Sequence, residues 1–318
     1  MGINNLTTLI RTHNIKPLLV KPQELHDMIT LNQSDIVQLI LDTSNFAHPM
    51  WTEINRKLLT LEDIKQKRLP DRSQVLSLWS QKIADFARQF TKMPGFGLVC
   101  VFDGEYGQED QTLIKQELPK IKNKIVEAYT NPKLNIHDQD DIIELEMNKV
   151  ISLTRPSTND YKFLFEYMRN EFECIKAPKV ADHLIASYVK LGKAHVVLSK
   201  DSDFPAYNCQ YTVHNFAFGR FVLYVLSKIM DVLKITSHKQ FLELCILLGG
   251  DLSDRDEKSP YPMTEALRLI REFKSLDSFR DIKIRNKKYQ EYIKRCYQNY
   301  YLKNASEIIN CASKTWNK

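Results

Sequence analysis

Three short apolar runs of this 318-residue chain end on aspartate: VQLILD at 37–42, LVCVFD at 98–103 and HVVLSKDSD at 195–203. A brief continuous apolar run suits a strand buried on both faces of a parallel sheet. In open α/β sheets, ligands bind outside the carboxyl ends of such strands. Asp42, Asp103, Asp201 and Asp203 would then crowd into one pocket. Like charges at contact range repel by roughly 1 to 4 kcal/mol per pair. A divalent cation with hard oxygen ligands, Mg²⁺ or Mn²⁺, offsets that repulsion. The plainer alternative is that aspartate follows strands as a turn or cap residue. That covers one or two of the runs better than three with a doubled aspartate.

The elements that must place these carboxylates follow from periodicity. Strands are expected at 36–42, 97–102 and 195–199. Residues 6–31 read as helix and loop. Apolar spacing of three and four predicts a helix over 74–92, ended by Met93-Pro94-Gly95. Residues 160–171 predict another. Ala177-Pro178 opens a helix running to about Leu191, with Pro near its first turn and Gly192 closing it. Residues 211–213 and 220–225 form a small β pair through Gly219, and 226–318 reads as helical. Residues 105–158 differ: highly charged, poor in aromatics and mixed in helical pattern. They predict a mobile, partly helical insertion, with a solvated helical hairpin as the plainer alternative. Alternating strand and helix up to residue 200 argues for a parallel α/β core with a helical C-terminal extension.

Composition sets wider bounds. A hydrophobic content of 43% and a charged content of 26% describe a globular protein able to bury a core. The net charge of +6 permits a nucleic-acid partner without requiring one. Lys and Arg dominate 115–124 and 268–295. The six cysteines form no CxxC pair, and Cys100 and Cys245 lie in apolar runs. Reduced, buried thiols of an intracellular protein are expected, nuclear or at a viral or cytoplasmic replication site. No apolar stretch reaches ~18 residues, so no membrane partner is expected. No signal-peptide core is present. Leu6 stands where N-myristoylation after Met1-Gly2 would want Ser or Thr.

Taken in order, these residues resemble the flap endonuclease and XPG superfamily of structure-specific 5′ nucleases. The start Met1-Gly2-Ile3 is similar to the family's MGI opening. LDTSNFAH (41–48) carries Asp42 and VFDG (101–104) carries Asp103. APKVADHLIASYVKLGKAHVVLSKDSDF (177–204) resembles the internal nuclease region, with Asp182, Asp201 and Asp203. FLELCILLGGD (241–251) resembles the CxLLGxD segment and carries Asp251. Each piece alone is a weak string, but four in order with the start make a strong signal.

The resemblance implies a PIN-like three-layer α/β core with a mainly parallel central sheet, a helical arch insertion and a helical C-terminal extension. It divides the chain into a nuclease core over 1–233, holding the 105–158 arch, and a helical region over 234–318 with a degenerate helix–hairpin–helix-like element. It implies two Mg²⁺ (or Mn²⁺) per site, one served by Asp42, Asp103 and Asp182, the other by Asp201, Asp203 and Asp251. Two metals about 4 Å apart can clamp a scissile phosphodiester. Branched or nicked duplex DNA is the implied partner. RNA on the same fold and a catalytically impaired binding or assembly paralogue are the alternatives. Phosphate contacts are expected from Gly2, Lys115, Lys120, Lys122, Lys124 and Arg155, and from Arg268, Arg271 and Lys274. A solvated helix face is the plainer meaning of such charges.

Three departures from the family stand out. Val180 occupies the place of a metal-site Glu two residues before Asp182, so either a water or a nearby carboxylate such as Glu173 substitutes, or the site is weakened. Residues 252–263 contain no Gly-x-Gly. The segment 105–111 (EYGQEDQ) is acidic where the family's arch begins with basic residues. No sliding-clamp peptide is seen in the last residues.

Overall fold

Strand side chains alternate between two cores, and this alternation decides the architecture. In the computed structural model, which describes residues 3, 6–30, 36–66, 68–104, 111–131 (backbone only at 111–115), 133, 135–249, 261–278 and 287–316, Leu39, Leu41, Leu98, Cys100, Phe102, Val196 and Leu198 are buried in one apolar cluster. Their neighbours Ile40, Val99, Val101 and Val197 are buried in another. Successive strand residues face opposite sides, so both faces of the sheet are covered, giving three layers.

Among the described residues, one sheet contains β1 (Leu18–Val20), β2 (Val37–Asp42), β3 (Phe96–Phe102), β4 (Glu173–Lys176), β5 (Val196–Leu198), β6 (Tyr211–Ala217) and β7 (Arg220–Val225), in the order β1-β7-β6-β5-β2-β3-β4. The five strands from β6 to β4 run parallel. β7 pairs antiparallel with β6 and β1. Phe218 and Gly219, both at positive φ, make the β6–β7 turn.

One face carries α2 (Pro22–Thr30), α3 (Thr43–Leu58), α5 (Arg72–Thr91) and α8 (Thr158–Met168), through Leu25, Trp51, Trp79, Phe90 and Phe165. The short α4 (Leu61–Lys65) follows α3. The other face carries α1 (Leu6–Thr12), α9 (Ala181–Lys190) and α10 (Leu226–Val232). The later helices α11 (His238–Leu248), α12 (Met263–Phe273), α13 (Lys287–Tyr300) and α14 (Ala305–Asn310) bury residues in this same cluster. The residues after 233 thus share a core with α9. The C-terminal segment also returns to the sheet edge, where Lys176 and Ser313 form an antiparallel bridge. Trp316 packs there against Phe165.

The insertion is a pair of helices, α6 (Gln111–Thr130) and α7 (Ile136–Leu153). Leu118, Ile121 and Ile125 of α6 meet Ile143, Val150 and Ile151 of α7 over Leu59 and Ile64, a small core of its own. Asn135 caps α7 by accepting from the backbone N–H of Asp138 at 2.9 Å. A pair of helices here fits both the partly helical insertion and the plainer helical hairpin.

Several boundaries differ from expectation. β1 lies inside the stretch read as helix and loop, and β4 follows the 160–171 helix without an alternating pattern to announce it. α9 begins at Ala181, so Pro178 lies before the helix and not in its first turn.

Candidate metal centre

The order of the parallel strands places a crevice before any side chain is considered. From β2 the chain steps to β3 and β4 on one side, then returns to β5 and β6 on the other. The order reverses between β2 and β5, and ligands of open α/β sheets bind at the carboxyl ends of strands at such a point. Asp42 is the last residue of β2. Leu41 pairs with Leu198, so Asp42 lies level with Ser199, and Asp201 and Asp203 follow in the next turn. Asp103 comes directly after β3.

Neutral donors fix these carboxylates. Asp42 caps α3, its Oδ1 accepting from the backbone N–H of Asn45 at 3.2 Å. Its Oδ2 accepts from Ser199 Oγ at 2.9 Å. That hydroxyl in turn accepts from the backbone N–H of Asp201 at 3.1 Å. Asp201 Oδ1 accepts from the backbone N–H of Asp203 at 3.1 Å. Asn45 Oδ1 accepts from the backbone N–H of Lys200 at 2.9 Å, tying α3 to the same turn. Ile3, from the opening tripeptide, donates its backbone N–H to Ser202 Oγ at 3.0 Å. The cap reading of Asp42 is thus true, and it coexists with a place in the cluster.

Asp103 and Asp182 are joined through α9. Asp103 Oδ1 accepts from the backbone N–H of Ala181 at 2.7 Å, and Asp182 is the next residue, in the first turn. The helix N-terminus carries a partial positive charge that favours anions there. Gly104 makes the approach possible. Its N–H donates to Lys179 O at 2.5 Å, and a Cβ at this position would sit 2.4 Å from Ala177 O.

The electrostatics show carboxylates acting on one another. Burial pushes the Asp42 carboxyl up to about 7, with Asp103 and then Asp201 adding to the rise and Ser199 and Asn45 opposing it. Burial also raises Asp103, opposed by the Ala181 N–H and the Ser44 hydroxyl. Asp182 is held well above the usual range by burial, then by Asp42, Asp201, Asp103 and Asp203. Asp203 is buried and accepts from Tyr300 OH at 3.0 Å through Oδ2. A set of hard oxygen donors sharing this much negative charge has the chemistry to hold Mg²⁺ or Mn²⁺. Among the described residues, the side chains as placed do not close into a group of three or more at ion-holding range. Asp251 lies outside the described residues, as does Gly2.

The expected substitute for the missing Glu is not Glu173. That residue opens β4, opposite Val99 and away from the strand ends, and its carboxylate pairs with Lys314 Nζ at 2.9 Å. Val180 precedes α9 as an N-cap without a side-chain bond and is half exposed. It lines a cleft of about 630 Å³ with Lys179, His183, Arg295 and Asn299.

The expected phosphate contacts are spread widely. Lys120, Lys122 and Lys124 lie on α6, as does Lys115, whose side chain is outside the described residues. Lys120 pairs with Glu117 at 2.7 Å, and Lys124 lies 3.7 Å from Glu146. Arg155 is exposed beside His48 of α3, whose pKa it helps burial to lower. On α12, Arg268 pairs with Glu265 and Glu272, and Arg271 Nε donates to Leu233 O at 2.8 Å. Lys274 is exposed at the left-handed end of that helix. Ion pairing and packing therefore account for much of the α12 charge.

Sequence reading missed the residues that hold the carboxylates. Ser44 and Asn45 had a signal, since small polar residues straight after a strand-end aspartate are helix-cap types. Ser199 had a weaker one. Tyr300 and Asn299, about a hundred residues on, had none.

Residues 171–251, which include Asp182, Asp201, Asp203 and Asp251, match the XPG I-region family. Flap endonuclease 1 of Entamoeba dispar is 28% identical over 192 residues, 58% of this chain and 48% of that protein. Flap endonuclease 1 of Pyrobaculum neutrophilum is 28% identical over 206 residues, 60% and 56% respectively. Over these segments the chain is similar to the flap endonuclease and XPG superfamily. It spans about half the length of these relatives. Among solved structures, flap endonuclease-1 from Methanococcus jannaschii aligns over 97% of this chain and 98% of its own, at 15% identity and a TM-score of 0.48.

Proposed function

We propose that this chain is a divalent-metal-dependent, structure-specific nuclease that hydrolyses phosphodiesters in branched or nicked DNA. The observation that carries this reading is the set of aspartates from three strand ends and the start of α9 at one switch point, where Asp42 and Asp182 are raised by the aspartates around them. The relatives' name, flap endonuclease 1, supports the substrate class.

In this reading Asp42, Asp103 and Asp182 hold one ion, and Asp201, Asp203 and Asp251 hold the other. Bound divalent cations would supply a water-derived nucleophile at neutral pH and offset charge on the leaving oxygen. The remaining work belongs to the chain itself. Ser199 and the Asn45 N–H fix the plane of the Asp42 carboxylate. The Ala181 N–H fixes Asp103. The start of α9 sets its positive end against the cluster, where it favours a phosphate as it favours the aspartates. Lys120, Lys122, Lys124 and Arg155 supply side-chain charge for a phosphate backbone, a contribution that weakens steeply with salt. The helical pair of the insertion is the arch of this reading, and the helices after 233 grip duplex.

The test is cleavage of a labelled 5′-flap DNA with Mg²⁺, beside a matched RNA and an Asp201→Ala Asp203→Ala double variant. Cleavage of the DNA by the wild type alone supports the reading. Equal cleavage by both proteins rejects the site. Cleavage of RNA in preference to DNA replaces the substrate.

A further inference from the structure

We propose that Tyr300 is a positioning residue for the Asp203 carboxylate, so that helix α13 sets cation affinity at the acidic cluster. The inference rests on reading that cluster as a cation site. Tyr300 is the last residue of α13 and is buried. Its phenol donates to Asp203 Oδ2 at 3.0 Å, across 97 residues of sequence. Its ring lies against Tyr207, with centroids 4.7 Å apart. Tyr207 stands in the turn that leaves Asp203, where Ala206 N–H donates to Asp203 O at 2.8 Å.

The preceding residue reaches the other side of the cluster. Asn299 Nδ2 donates to Tyr207 OH at 2.8 Å, and its Oδ1 meets His183 Nε2 at 2.5 Å. His183 directly follows Asp182 on α9. Two consecutive residues of α13 therefore touch both the Asp201–Asp203 turn and the helix bearing Asp182.

The helix is itself held firmly enough to act as a reference. Tyr297 OH donates to the fully buried Glu243 of α11 at 2.6 Å. Lys190 Nζ holds the end of α13 that carries Tyr300, donating to Tyr301 O at 2.6 Å and Leu302 O at 2.9 Å. A carboxylate with one oxygen bonded to a fixed donor keeps one plane and one rotamer. Bonds of this kind to a ligating group orient it for the ion, and their loss costs about 10–100-fold in metal affinity. A core tyrosine needs an acceptor when buried, and packing alone would be served by any acceptor. The bond to Asp203, together with the Asn299 link to the helix of Asp182, places the donor where it acts on the cluster.

The experiment is calorimetric titration of the full chain with Mn²⁺. Tyr300→Phe keeps the ring and removes the donor. Its Mn²⁺ affinity should fall about 10–100-fold, with little change in the melting temperature of the metal-free protein. Tyr301→Phe, which alters an exposed ring stacked on Tyr297, should bind as the wild type does. Equal affinity in Tyr300→Phe and wild type overturns the proposal and leaves the cluster intact. No saturable binding by the wild type overturns the cluster reading itself. If Tyr300→Phe fails to fold, Asn299→Ser takes its place, since it releases Tyr207 without touching Tyr300. A drop in affinity there supports the proposal and an unchanged affinity overturns it.

Discussion

Asp103 and Ala181 are joined by a 2.7 Å hydrogen bond, from the first N–H of α9 to the carboxylate that ends β3. One interaction thus satisfies a helix-end donor and sets Asp182 beside the other acids. The bond needs an acceptor, whereas the proposed chemistry needs a charge, and the two can be separated. Asp103→Asn keeps the acceptor and should fold at least as well as the wild type without metal, because it removes a buried carboxylate that burial penalises. Its metal-dependent cleavage should fall by more than about a hundredfold. Asp103→Leu loses both and should cost a further ~1–3 kcal/mol for the unsatisfied N–H. Thermal melts and single-turnover cleavage on the same preparations check the pair.

Gly104→Ala tests the close approach behind that bond. The added methyl would stand 2.4 Å from Ala177 O and 2.8 Å from Pro178 O, both backbone atoms that yield little. Strain of about 1–3 kcal/mol is expected. The melting temperature should drop by several degrees, and Mn²⁺ affinity should drop with it as the start of α9 shifts. A melt and a titration indistinguishable from wild type would show that the loop has room.

The acidic cluster gives the metal-free protein a pH dependence with a definite sign. Asp42 is raised to about 7 by burial first and by Asp103 next. A carboxyl raised on folding contributes stability that is complete below its unfolded value near 3.8 and lost as pH rises through 7. Metal-free protein should therefore lose stability between pH 5 and 8 through this cluster. Mg²⁺ should restore it at pH 8 and do little at pH 5, where protons compete for the ligands. Thermal melts with and without Mg²⁺ across this range read the difference, and Asp42→Asn should flatten it.

His214 gives the opposite sign. Burial, then Lys200, lower it from 6.5 to about 4. Its ring lies 4.5 Å from that of Tyr224, on the β6–β7 pair. A histidine lowered on folding contributes stability that is complete above 6.5 and lost as pH falls through 4. Acid should cost up to about 3 kcal/mol at this residue. His214→Gln should melt closer to its neutral-pH temperature at pH 4.5 than the wild type does.

How much was legible in the sequence follows from the range of each interaction. Asp42, Asp103, Asp201 and Asp203 announced themselves because apolar strands with a terminal acid are local patterns, and the structure sets them at one end of the sheet. The core alternation of Leu39, Ile40 and Leu41 was equally local. β1 and β4 were missed because strands of three and four residues are defined by partners across the sheet, Val222 and Cys100 among them. Pro178 misled because Ala177 and Pro178 close against Gly104 as a loop, which no helix-start rule anticipates. Glu173 is near Asp182 in sequence alone; it opens β4 opposite Val99, in the middle of β3 and back from the strand ends that carry the aspartates. The hold of Tyr300 on Asp203 spans 97 residues and belongs to the packing of α13, which no spacing rule reports.

The central claim is that these aspartates share divalent cations. It is tested most directly by a crystal of the full chain soaked in Mn²⁺ and measured at the manganese absorption edge. Anomalous peaks ligated by Asp42, Asp103 or Asp182 on one side and by Asp201 or Asp203 on the other are the expected result. A well-ordered cluster with no peak at saturating Mn²⁺, or a peak elsewhere only, would contradict it.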